Sequence, residues 1–302
     1  MANLYYNAAV DTAWDTLGNW WNDDIFTDPA LALPATGDTV YLYGYMTSGP
    51  TTPVTLNHIY AYTLSYGGNL IFTGAIGNAT FQDSQNSGTV TGDATFNGLS
   101  YNFGTVTGNA TFNDTSINYS GAEVEGNATF NGTSYNNGEV TGDATFNDSS
   151  YHDIYGEVGG EATFNDYSYN GGIIGYFNGM PTGLPVTFND ISYNNSVVVG
   201  TATFNDVSYN AIGASVNGAT FNDSSYNGGS VSGDATFNDT SFAQSGGSVG
   251  GEATFDLTAA ATQIIGGYDV SFNGGVVVSG GSGGGSDNTI ARLLDLPWFI
   301  NL

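Results

Sequence analysis

The stretch GATFNDSSYNGGSVSGDATF, residues 218–237, opens on Gly-Ala-Thr-Phe and closes on Gly-Asp-Ala-Thr-Phe, so it contains its own beginning a second time. Aligning the chain on that Phe gives Phe81, Phe96, Phe112, Phe130, Phe146, Phe164, Phe188, Phe204, Phe221, Phe237, Phe255 and Phe272. Neighbours in this series are 15 to 18 residues apart, except for a step of 24 between Phe164 and Phe188. Such a short, slightly elastic period fits one coil of a β-solenoid and is too short for a helical-pair repeat or a propeller blade.

Within each repeat, Ala-Thr-Phe alternates small apolar, polar, large apolar, the pattern of a short strand with one buried face. Phe96, Phe112, Phe130, Phe146, Phe164, Phe204, Phe221 and Phe237 are read as a core ladder. A second large apolar file follows five residues later, at Tyr101, Ile117, Tyr135, Tyr151, Tyr169, Tyr193, Tyr209, Tyr226 and Phe242. A third stands six residues before the next Phe, at Val90, Val106, Val124, Val140, Val158, Val198, Val231 and Val249. Three apolar positions per coil predict three short faces around one core. The expected fold is therefore all-β, a single-chain parallel β-solenoid (β-helix) of about twelve coils, with right-handed winding favoured. At the strand spacing of about 4.8 Å this gives a rod roughly 55–60 Å long. Length differences fall between the Tyr and the Val, as in SYNNGEV against SYHDIYGEV, so one corner absorbs insertions. The longest, GGIIGYFNGMPTGLP at 171–185, is expected to stand out as a loop.

The residue after the Phe is Asn at Asn97, Asn113, Asn131, Asn147, Asn165, Asn189, Asn205, Asn222, Asn238 and Asn273. Asn tolerates left-handed backbone angles, and identical side chains can bond to one another up a stack, so this file reads as a corner asparagine ladder. A second Asn file follows the Tyr, at Asn102, Asn118, Asn136, Asn170, Asn194, Asn210 and Asn227, with His152 in one of its slots.

Composition limits the partners. One Lys or Arg, Arg292, stands against 28 Asp and Glu in 302 residues, for a formal net charge of −27. Phosphate recognition relies on basic residues, so a nucleic-acid partner is not expected. The absence of cysteine excludes disulfides and thiolate metal sites. No run is long and apolar enough for a membrane-spanning helix, and the opening MANLYYNAAV lacks the basic and apolar segments of a standard secretion signal.

Three segments flank the repeats at 71–279. Residues 1–70 are rich in Trp and Tyr, including Trp14, Trp20 and Trp21, and are expected to cap the exposed strand edge at that end. GGSGGGSD at 280–287 reads as a flexible linker. Beyond it, 288–302 carries Ile290, Leu293, Leu294, Leu296, Trp298, Phe299, Ile300 and Leu302. This tail reads either as a helix folded over the last coil or as a docking peptide for another subunit.

Repeats of the type GDATFNDSSY (142–151), with the opening MANLYYNAAVDTAWDTLGNWW and the closing ARLLDLPWFINL, resemble repeat-rich proteins of uncultivated tailed bacteriophages and environmental bacteria. The resemblance covers nearly the whole chain. It implies a virion-associated or extracellular fibre protein and supplies no catalytic residues.

Other files carry side chains capable of chemistry. Asp190, Asp206, Asp223 and Asp239, with Asp83, Asp114, Asp148 and Asp166, stand two residues after the Phe. Calcium could neutralise such a file, but Asp after Asn also closes an Asx-type turn in a solvated corner. The Thr of each Ala-Thr-Phe forms one outward rank, whereas ice-binding faces usually present two. His58 and His152 lack metal-ligand spacing, and the acidic residues follow the repeat rather than departing from it, so an enzyme is not expected. Asn-x-Ser/Thr triplets at Asn78, Asn109, Asn113, Asn118, Asn127, Asn131, Asn147, Asn194, Asn222 and Asn238 arise readily in such a composition. The functional expectation is a structural fibre or appendage subunit, extracellular or virion-associated, whose copies join end to end through the tail and the N-terminal cap. The alternative is a carbohydrate-binding adhesin or tail-fibre module using the 171–185 loop or exposed Tyr residues; ice binding ranks lower. Beyond copies of itself, a virion or cell-surface anchor and glycans are the candidate partners.

Overall fold

The computed structural model describes residues 2–6, 15–35, 37–43, 56–62, 69–70, 75–244, 246–256, 271–272 and 276–279. Trp14, the 280–287 linker and the whole 288–302 tail lie outside the described residues. The protein is an all-β parallel solenoid of about 11 turns. It divides into two compact units, residues 1–144 with 155–160 (unit 1) and residues 145–154 with 161–302 (unit 2).

In unit 1 the parallel ladder begins almost at the first residue. Asn3–Tyr6 pairs in register with Thr39–Leu42, which pairs with Leu56–Tyr62, which pairs with Ala75–Gln82. The regular coils follow: Ala94–Asn97, Ala110–Phe112 and Ala128–Phe130 place Ala on Ala, Thr on Thr and Phe on Phe. At the other edge Trp20–Trp21 pairs antiparallel with Tyr5–Tyr6, and Trp21 bridges to Pro29 beyond it. An antiparallel strand followed by a proline leaves no row of free N–H groups to template another parallel strand. Among the described residues, the strand edge at Tyr5 and Tyr6 is taken up in this way.

Each regular coil carries three short strands, centred on the Val, the Ala-Thr-Phe and the Tyr-Asn. Phe81, Phe96, Phe112 and Phe130 are fully buried and stack at 4.7–4.8 Å in unit 1. In unit 2, Phe146, Phe164, Phe188, Phe204, Phe221, Phe237 and Phe255 form a buried stack of their own at 4.7–4.9 Å. Burial of each ring contributes on the order of 2–3 kcal/mol, and the aromatic stacking roughly 1 kcal/mol more.

The Tyr file differs from the core position expected of it. Tyr101, Tyr135, Tyr169, Tyr193, Tyr209 and Tyr226 point outward and are half-exposed, whereas the residues on either side of them, Ser and Asn, are buried. Side chains alternate along a strand, so Ser-Tyr-Asn can bury either the Tyr or its two neighbours. With Phe and Val already inside a coil of this length, the two small polar residues fit more readily than a second six-membered ring.

Two other sequence expectations are corrected. Ser271–Phe272 pairs with Ser248–Val249, and Val276–Ser279 pairs with Ala253–Asp256. Phe272 therefore takes a Val-file position, and Val278 occupies the register of the Phe file. The left-handed corner residue is the Asp rather than the Asn: Asp114, Asp148, Asp166, Asp190, Asp206, Asp223 and Asp239 have φ of 55–59°. Gly98 and Gly132, which stand in the same slot, have φ of 63° and 70°. The insertion at 171–185 contains a hairpin, Tyr176–Phe177 against Met180–Pro181, closed by Asn178 and Gly179 at φ 50° and 73°. Two successive positive φ values at Asn-Gly are the signature of the tight turn whose twist suits a hairpin.

Candidate functional site

The repeated polar residues bond from coil to coil. In the half-buried corner ladder of unit 1, Asn131 Nδ2 donates to Asn113 Oδ1, and Asn113 Nδ2 to Asn97 Oδ1, both at 2.8 Å. Unit 2 repeats this from Asn238 through Asn222, Asn205, Asn189 and Asn165 to Asn147, every bond 2.8 Å. The inner file, fully buried, runs the other way: Asn86 donates to Asn102, Asn102 to Asn118 and Asn118 to Asn136 at 2.8–2.9 Å. In unit 2 Asn170 donates to Asn194, Asn194 to Asn210 and Asn210 to Asn227. The outer ladder donates toward the N-terminus and the inner toward the C-terminus, so their amide dipoles oppose along the stack.

A buried serine file escaped the sequence reading. Ser116 and Ser134 donate to the carbonyls of Phe96 and Phe112, and Ser168, Ser192, Ser208, Ser225 and Ser241 make the equivalent bond at 3.0 Å in unit 2. The signal was present: Ser precedes the Tyr as regularly as Asn follows it, and period-two alternation puts both on one side.

The Asp file is used in the same way. The Oδ2 atoms of Asp166, Asp190, Asp206 and Asp223 accept the backbone N–H of Asp148, Asp166, Asp190 and Asp206 at 3.2–3.4 Å. Asp83, bonded by the Leu99 N–H and the Gln82 side chain, has its carboxyl held below the ordinary carboxylate range. Among the described residues no three acidic or imidazole groups form a set that could hold a metal ion. The exposed carboxylates therefore have a structural partner, the amide of the neighbouring corner.

His152 is fully buried within unit 2, in register with Asn170, its ring edge-on to Phe146 at 6.0 Å. Desolvation lowers its pKa from 6.5 to about 4, against the opposing hydrogen bond with the Ile173 backbone. It is a neutral core residue. The outward Tyr rings stack at 4.8–5.2 Å with planes within 13° from Tyr151 to Phe242. Their faces are covered by one another, and mainly edges and hydroxyls meet solvent. Burial raises the phenol pKa of Tyr169, Tyr209 and Tyr226 above 10.

Among the described residues, exposed apolar side chains break the regular surface in several places, including Ile154, Met180 and Ile212, and two groups of them stand out. Next to the Trp20–Trp21 strand of unit 1, Ile25 is 71% and Leu31 93% exposed, with Leu17 nearby in sequence at 41%. Trp21 packs edge-on against Phe26 at 6.1 Å, and Phe26 is held at φ 57°, a rare conformation for a bulky residue. Asp23 fixes this loop by accepting the N–H groups of Thr27 and Asp28. Trp20, by contrast, is fully buried against Tyr6 and offers no docking surface. In unit 2 the exposed slot that holds Ser149, Ser224 or Thr240 elsewhere holds Tyr167, Ile191 and Val207 in three successive coils. Comparison with family models, curated proteins and solved structures finds no match.

Proposed function

We propose that the protein is a structural fibre or appendage subunit, extracellular or virion-associated, whose copies join end to end. The observation that carries this reading is that the repeated Asn, Ser and Asp side chains bond to the neighbouring coil. The repeat invests its polar chemistry in holding a shape. A neighbour would join at the N-terminal end through side chains, and Ile25, Leu31, Leu17 and Trp21 supply the apolar surface. The occupant is the tail, residues 288–302, with eight large apolar side chains; such a heterologous contact propagates as a filament when it does not close on itself. Light scattering and negative-stain microscopy of full-length protein against a 1–279 truncation test it. Long particles that vanish on truncation support the filament; identical monomers overturn it.

A second reading, an adhesin, is favoured by the apolar rank of Tyr167, Ile191 and Val207 beside the Tyr ladder. A glycan there would meet hydroxyls and ring edges rather than open aromatic faces. Retained surface binding by the 1–279 truncation would favour this reading.

A further inference from the structure

Three successive coils of unit 2 break the polar pattern of one slot, the third residue after the Phe. Tyr167 is 63%, Ile191 42% and Val207 46% exposed, whereas the same slot holds Ser149 before them and Ser224 and Thr240 after them. Single exposed apolar residues are ordinary on a soluble chain, but a contiguous row marks a place where something binds.

The described chain ends beside this row. Val276–Ser279, in the same unit, pairs with Ala253–Asp256, so Ser279 stands opposite Asp256, in the file that Asn205, Asn222 and Asn238 occupy in earlier coils. The rank lies two residues beyond that file along each coil. From Val278 the register runs through Phe255, Phe237 and Phe221 to the coil of Phe204 and Val207, so at one strand spacing per coil the exit lies about 19 Å from Val207 along the stack. Two further coils, those of Phe188 and Phe164, carry Ile191 and Tyr167, the latter about 29 Å from the exit. Beyond Ser279 the linker 280–287 contains only Gly, Ser and Asp. A flexible segment of that length spans about 14–17 Å on average and about 26–29 Å when stretched, enough to deliver residue 288 to Val207. The order of the sequence matches the order of the slots. The polar linker would pass Thr240 and Ser224, and the apolar tail would then meet Val207, Ile191 and Tyr167. Charge agrees as well: the tail carries Arg292, the only Lys or Arg of the sequence, and the exposed Asp166, Asp190 and Asp206 directly precede the three apolar residues.

We propose that the tail, residues 288–302, seats on its own chain along the rank of Tyr167, Ile191 and Val207. A short flexible tether presents the tail to this surface at an effective concentration in the millimolar range, about a thousand times that of a second copy in a micromolar solution. The contact is therefore made within one chain before it is made between two. A tail so seated is withheld from a neighbour's N-terminal end, and joining would begin with its release. That consequence rests on the filament reading; the seat itself does not.

Because the sequence has no cysteine, a pair of introduced cysteines reports the seat without interference. Ile191→Cys is combined with Leu294→Cys in one full-length protein and with Trp298→Cys in another, and each is oxidised mildly at low micromolar concentration. The comparison proteins carry Thr220→Cys in place of Ile191→Cys. Thr220 is nearer to the exit along the stack, but it stands on the Ala-Thr-Phe strand, to the other side of the Asn file. With at least one of the two tail cysteines, a disulfide within the monomer is expected to form at least about tenfold faster at 191 than at 220, read by non-reducing gels and peptide mass mapping. Tyr167→Ser/Val207→Ser installs the residue found at 149 and 224, and is expected to remove this preference while leaving the circular-dichroism spectrum unchanged. Equal rates at 191 and 220, or a preference that survives the serine substitutions, overturns the proposal. Disulfides that form only between chains overturn it too, and make a second copy the occupant. All these readouts are taken on dilute protein, so the seat can fail while long particles form, or stand while they do not.

Discussion

Replacing His152 by asparagine isolates what one buried imidazole costs the stack. In the folded protein its pKa is lowered from 6.5 to about 4 because burial penalises the cation. The unfolded chain therefore binds the proton more readily. Stability from this source is complete above pH 6.5, falls as the pH drops from 6.5 toward 4, and is constant below. The full shift of about 2.5 units corresponds to roughly 3 kcal/mol, and about 2 kcal/mol of it is lost between pH 7 and pH 5. Asparagine has no such term, and in register with Asn170 it would extend the inner ladder by a bond like the 2.8 Å one from Asn170 to Asn194. Urea unfolding of wild type and His152→Asn at about pH 7 and about pH 5, followed by circular dichroism, gives the difference directly. Carboxylates and His58 are common to both proteins and cancel. The stability advantage of the variant should grow by about 2 kcal/mol on acidification. Parallel pH dependences would refute the assignment of His152 as a neutral core residue.

The two asparagine ladders should respond differently to truncation. Asn210→Ala leaves the buried Asn194 amide and Asn227 carbonyl without their ladder partners and should cost about 3–5 kcal/mol, against about 1–2 kcal/mol for Asn205→Ala in the half-exposed ladder, measured by chemical denaturation. At the corner, Asp206 has φ 58°, so Asp206→Gly should be much better tolerated than Asp206→Val, for which a loss of about 1–2 kcal/mol is expected in thermal melts. Because the Asp carboxylates already accept backbone N–H groups, chelation with EDTA or addition of calcium should leave the melting temperature unchanged; a rise on adding calcium would reinstate the metal reading. Phe204→Ala, which removes one ring from the middle of the unit 2 stack, should cost about 3–5 kcal/mol.

The repeat itself was legible because a period of 15 to 18 residues with fixed apolar positions leaves few architectures that bury them all. The asparagine files were legible for the same reason, since identical residues at one phase of a stack must meet. Alternation alone could not decide whether Tyr or its Ser and Asn neighbours face inward. That choice was made by the volume left inside the coil once Phe and Val had entered it. Nor could the sequence say which corner residue takes the left-handed conformation, although Gly98 and Gly132 substituting for Asp were a hint of it. The insertion lengths at 119–122 and 137–138 were visible as irregularities of the period. Only the stacking of a long coil on a short one turned that irregularity into a cavity open to solvent, lined by Glu123, Glu139 and Glu157. Period and composition thus determined the solenoid, because they act on every coil alike. Tertiary structure decided the inward and outward faces and the cavity, because these depend on how much room adjacent coils leave each other.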